Sequence, residues 1–172
     1  MKKIISFVLL AVLIAAPARA GVKAPKDEKV KNVILIIGDG MGLGAAAAWM
    51  ANNDFGPTCF DRSQFAAIVK TYSANSKTTD SAAAATAMAT GHKTNNSMLG
   101  MLPDSTKPAS IAQLAKEKGK SVGIVVTSYV LDATPGAFYA HVARRGERKN
   151  IAEDLIAFRP DVIVGGGRKY FT

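Results

Sequence analysis

Asn32-Val33-Ile34-Leu35-Ile36-Ile37 runs directly into Gly38-Asp39-Gly40. The run is apolar, rich in β-branched residues and free of alternation, so it reads as a strand buried on both faces. Strands of that kind sit in parallel sheets covered by helices, and the glycines give an abrupt stop. Working outward, Phe65 to Thr71 is a second candidate strand and Val122-Gly123-Ile124-Val125-Val126-Thr127 a third. Val162-Ile163-Val164, stopped by Gly165-Gly166-Gly167, is a fourth. Helices fall between them. Ala45 to Ala51 is Ala-rich, and Ser81 to Thr90 is nearly all alanine with Gly91 as its stop. Ser110 and Gln113 fit a capping box opening a helix that Lys118-Gly119 closes. Pro135 to Val142 and Asn150 to Phe158 are short helical segments. Strands alternating with helices give an α/β fold with a mainly parallel sheet flanked by helices on both faces.

The chain has 172 residues, 48% of them hydrophobic and 20% charged, which suits one globular domain and excludes a disordered tail or a coiled coil. A single cysteine, Cys59, excludes a disulfide framework and a Cys-rich zinc module. Two histidines, His92 and His141, exclude a His-rich metal site within these residues. At the N-terminus, Lys2 and Lys3 precede an apolar run from Ile4 to Ala16, and Ala18-Arg19-Ala20 supplies a small-residue exit. This is the pattern of a secretory signal peptide over residues 1–20. The run is too short to cross a bilayer, so no permanent membrane anchor is expected. Exported protein, periplasmic or secreted, should begin at Gly21. Loss of Lys2, Lys3 and Arg19 takes the formal charge from +9 to +6. The remaining basic residues are dense only over 23–31 and 144–149, without interleaved aromatics, so no nucleic-acid partner is expected.

Ligands in open parallel sheets gather at the carboxyl ends of strands. Asp39 follows the first strand between two glycines and reads either as a metal ligand or as a turn aspartate. Gly40-Met41-Gly42-Leu43-Gly44-Ala45 matches a loose dinucleotide pattern, but no strand about twenty positions on ends in an acidic residue. Asp80 is a natural N-cap that sets Ser81 in the first turn, where helix amides favour an anion such as phosphate. The plain alternative makes Ser81 part of the cap. Without a histidine base nearby, activation of Ser81 calls for a metal. Asp132 and Thr134 offer hard oxygen donors suited to magnesium, or simply cap a helix with Pro135 in its first turn. Arg144-Arg145 could clamp a phosphate through the planar guanidinium fork.

Together these stretches resemble the alkaline phosphatase family. The anchors are 32–42, Thr79-Asp80-Ser81-Ala82-Ala83-Ala84-Ala85-Thr86-Ala87, Thr90-Gly91-His92-Lys93-Thr94, and Asp132-Ala133-Thr134-Pro135 with His141-Val142 and Arg145. They occur in the family's order, and the resemblance runs from about Asn32 to the last residue. The resemblance implies a phosphate monoesterase with two Zn2+ and one Mg2+, working through a phosphoserine. Ser81 would be the nucleophile, and Asp39 would bridge a zinc and the magnesium. Asp132 and Thr134 would complete the magnesium shell. Asp80 would position the phosphate-binding arginine, which matches Arg145 better than Arg144. His92 and His141 match no metal ligand and are expected to be structural. Family members often dimerise, so a homodimer is a further expectation. The family's other zinc ligands are histidines and carboxylates well downstream, so this chain is expected to be an N-terminal portion with little activity alone. The alternatives are an exported, inactive phosphate-binding domain and a dinucleotide-binding oxidoreductase fragment.

Overall fold

The computed structural model describes residues 30–171, and the chain divides into one unit ending at Ile37 and a second from Gly38. The described part of the first unit, 30–37, forms neither a helix nor a strand. Val33, Ile34 and Ile36 are exposed there. This corrects the expected buried strand over 32–37. The β-branched run supplies the preference for extended backbone, but a strand also needs a neighbour to take its amides and carbonyls. The expected strand over 65–71 is likewise unpaired, with Phe65, Ile68 and Val69 exposed. The expected leader over 1–20 lies outside the described residues.

The second unit contains α1 (Leu43–Asn52), α2 (Ser81–Thr90), α3 (Ile111–Glu117), β1 (Gly123–Tyr129), α4 (Ala133–Gly136), α5 (Arg148–Phe158) and β2 (Val162–Gly166). Among the described residues, β1 and β2 form a two-stranded parallel sheet with Gly123 opposite Val162 and Tyr129 opposite Gly166. α4 and α5 lie in the long crossover that parallel strands require. Gly165 shows how closely these segments meet. A Cβ there would fall 2.5 Å from Val126 Cγ2 and 2.8 Å from Val130 Cγ1.

The caps form as the residue types dictate. Asp80 accepts from the Ala83 amide, Gly91 ends α2 with φ +77, and Ser110 with Gln113 completes its reciprocal box. The expected helix over 135–142 is shorter and earlier. α4 stops at Gly136, and the next residues form turns that bury Ala137, Tyr139 and Ala140. The core gathers Ala82 and Ala85 of α2, Leu99, Ile124, Leu131, Val142, Ile151 and Leu155. Small side chains on α2 let its backbone approach the segment around Ala133, which brings Ser81 and Thr134 to one place.

Candidate active site

The turn after Gly38 presents the carboxylate of Asp39 to two hydroxyls. Met41 N–H bonds Gly38 O at 3.1 Å and Gly40 takes φ +70, so the backbone reverses around Asp39. Ser81 Oγ donates to Asp39 Oδ1 at 3.1 Å, and Thr134 Oγ1 donates to Asp39 Oδ2 at 2.5 Å. These three residues are 42 and 95 positions apart in sequence, counted from Asp39. Ser81 is the first residue of α2, where unpaired amides and the helix dipole favour negative charge.

Beside this cluster, Arg145 lies between two carboxylates. Its guanidinium is 3.4 Å from Asp80 Oδ2 and 3.3 Å from Asp132 Oδ1. Both acids are anchored by backbone. Asp80 takes amides from Ala83 at 2.9 Å and Ser97 at 3.0 Å, and Asp132 Oδ1 takes Ala133 N–H at 2.8 Å. Arg144 is exposed, whereas Arg145 is half-buried and its amide donates to Ser97 O at 2.7 Å. All six expected site residues therefore meet in two adjoining groups, Asp39–Ser81–Thr134 and Asp80–Arg145–Asp132.

Asp39 and Thr134 bring hard oxygens together, which fits magnesium. Asp132 enters this set less directly, since its Oδ1 is held by Arg145 and Ala133. Among the described residues no three His, Cys, Asp or Glu side chains gather to hold a metal ion, so these residues do not by themselves build a zinc site.

His141 has a structural place. Its Nδ1 lies 2.6 Å from Gly100 O, its Nε2 2.9 Å from Gln113 Nε2, and its amide donates to Asp154 at 2.8 Å. The carbonyl partner assigns the proton to Nδ1 and leaves Nε2 to accept from the amide of Gln113. His92 is exposed, its backbone amide bonded to Thr90 Oγ1.

The segment 95–100 carries no motif that marks it in the sequence. Asn96 Oδ1 accepts from Asp80 N–H at 3.2 Å, and Ser97 bonds both Asp80 and the backbone of Arg145. Leu99 pairs antiparallel with Val142, and Thr86 Oγ1 accepts from Gly100 N–H at 3.0 Å. The polar string Asn95-Asn96-Ser97 is the only signal that could have marked it, and turns of that composition are common.

Residues 30–172 match the family model described as alkaline phosphatase. Alkaline phosphatase 3 of Bacillus subtilis (strain 168) is 37% identical over 170 residues, covering 91% of this chain and 36% of that protein. Streptomycin-6-phosphate phosphatase of Streptomyces griseus is 34% identical over 190 residues, covering 95% of this chain and 42% of that protein. The alkaline phosphatase of the Antarctic bacterium TAB5 superposes with a TM-score of 0.73 at 36% identity, over 78% of this chain and 39% of the other. A mutant of that enzyme with Mg bound in its M3 site superposes with a TM-score of 0.71 at 35% identity, covering 78% of this chain and 38% of the other. The chain thus spans little more than a third of the length of most of these relatives.

Proposed function

This chain belongs to the alkaline phosphatase family, and from that premise we propose that it carries the serine nucleophile and phosphate clamp of a phosphate monoesterase. The observation that carries the reading is the placement of Ser81 Oγ at the head of α2, hydrogen-bonded to Asp39, with Arg145 braced between Asp80 and Asp132.

Ser81 Oγ attacks the phosphorus in line, forming an Oγ–P bond as the ester O–P bond breaks and the alcohol departs. Water then cleaves the Oγ–P bond, releasing inorganic phosphate and restoring the serine hydroxyl. Asp39 Oδ1 orients the hydroxyl, and the head of α2 favours the incoming anion. Arg145 offers a planar pair of donors to the non-bridging oxygens, and its two carboxylate partners hold that plane. Asp39 and Thr134, with Asp132 adjoining, would hold the magnesium. When bound, that ion supplies positive charge beside the transferring group. The two zinc ions of the family enter no step here, because the described residues do not form their sites.

Covalent phosphate uptake from a monoester, with zinc and magnesium present, tests the reading. Any phosphoryl group taken up is expected on Ser81 and absent in Ser81→Ala, and label persisting in the variant moves the nucleophile elsewhere. Phosphate binding without turnover is a second reading, favoured by a clamp that forms where, among the described residues, no three His, Cys, Asp or Glu side chains gather. Phosphate release by the chain separates the two. Export with a mature start at Gly21 belongs to the same proposal, and N-terminal sequencing of exported protein checks it.

A further inference from the structure

The geometry points to Ser97 as a positioning residue that sets the arginine clamp through its backbone rather than its hydroxyl. Its amide donates to Asp80 Oδ2 at 3.0 Å, and its carbonyl accepts from Arg145 N–H at 2.7 Å. One peptide segment thus links the carboxylate that braces the guanidinium to the main chain that bears it. Ser97 holds this position with φ +78, in the left-handed region that favours glycine. It sits third in a turn closed by Met98 N–H on Asn95 O at 3.2 Å, the position that takes positive φ in a type II turn. Strain at a non-glycine residue persists only when its surroundings over-determine it. Here they do so from both sides. Asn96 takes the Asp80 amide at 3.2 Å and donates to Thr78 O at 3.0 Å, while Leu99 is bridged to Val142.

If the backbone is what matters, the identity of the side chain enters only through φ. Ser97→Gly relaxes the left-handed requirement and keeps both hydrogen bonds. Ser97→Ala removes the hydroxyl and keeps the conformation. Ser97→Val adds a β-branch that resists positive φ and should swing the turn away from Asp80 and Arg145.

This inference rests on the clamp reading above, and the experiment keeps the two apart. The full chain is titrated with inorganic phosphate, and the Arg145 guanidinium signal is followed by NMR with no phosphate present. Ser97→Gly and Ser97→Ala are expected to stay within about twofold of the parent in phosphate affinity, and Ser97→Val to lose about tenfold. In an Arg145→Ala background, Ser97→Val should cost nothing further, since the residue acts through that arginine. An equal loss in both backgrounds would show general damage and overturn the proposal. A loss in Ser97→Ala as large as in Ser97→Val would assign the effect to the hydroxyl and overturn it as well. If Arg145→Ala binds phosphate as well as the parent, the clamp reading fails by itself. The NMR arm still decides the positioning role, which requires the Arg145 signal to shift in Ser97→Val and to hold in Ser97→Gly.

Discussion

Arg145 gains little stability from its two carboxylates. Its side chain is 37% exposed and those of Asp80 and Asp132 are 27% exposed, so each pair is screened and worth about 0–1 kcal/mol. What the pairs supply is orientation of a planar group. Arg145→Ala is therefore expected to leave the melting temperature nearly unchanged and to weaken inhibition by inorganic phosphate. Unchanged inhibition would move the clamp to Arg144. Asp80 differs, because it caps α2 as well as bracing the arginine. Asp80→Ala should cost about 0.5–2 kcal/mol in denaturant unfolding and weaken phosphate binding together. That Asp80 would cap was legible from its place before Ser81 and the alanines. That its second oxygen takes the Ser97 amide was not, because 17 residues separate them and no local pattern encodes the contact.

At the scale of elements, α2 shows why an alanine run suits the helix that carries the proposed nucleophile. Ala82, Ala85 and Ala89 are fully buried, and the thin face lets α2 approach the Asp132–Thr134 segment. Ala85→Leu should overpack this contact and cost about 1–3 kcal/mol in denaturant unfolding, displacing Ser81 from Thr134. The capping box of α3 is a purely local device that the sequence pattern showed in full. Ser110→Ala also removes a bond from Ser110 Oγ to Phe138 O at 2.5 Å, so its cost should reach the upper part of the range of about 0.5–2 kcal/mol. Caps and glycine stops were readable because they depend on neighbours within a turn. The unpaired segments 32–37 and 65–71 depart from the sequence expectation for the opposite reason. Their composition favours extension, while pairing depends on a partner strand that local pattern cannot supply.

Across the whole molecule, two features govern behaviour in solution. The first is Tyr139, a buried phenol that donates to Val130 O at 2.6 Å. Burial pushes its pKa well above the ordinary 10.0, with the Asp154 and Asp132 carboxylates adding to the effect. The folded state therefore holds this proton more tightly than the unfolded state. Stability from this group is complete below pH 10.0 and falls as pH rises beyond it. Chemical denaturation across pH should show that alkaline loss in the parent and a smaller one in Tyr139→Phe. The second is apolar exposure. Val125, Val162 and Val164 on the sheet are exposed, as is Ile68. Among the described residues both strands are also edges, which invites pairing between copies. Light scattering should show concentration-dependent association, reduced in Val162→Lys.

The sequence by itself determined the α/β class, the helix caps, the order of the motifs and the six residues proposed for the phosphate site, because each is written within a few positions of chain. Only the tertiary structure decided which strands pair, that Asp39 reaches both Ser81 and Thr134, and that the turn at Ser97 joins Asp80 to Arg145. Those contacts depend on how α2, the 95–100 turn and the segment around Ala133 pack against one another, and packing is set by shape across long separations rather than by spacing along the chain.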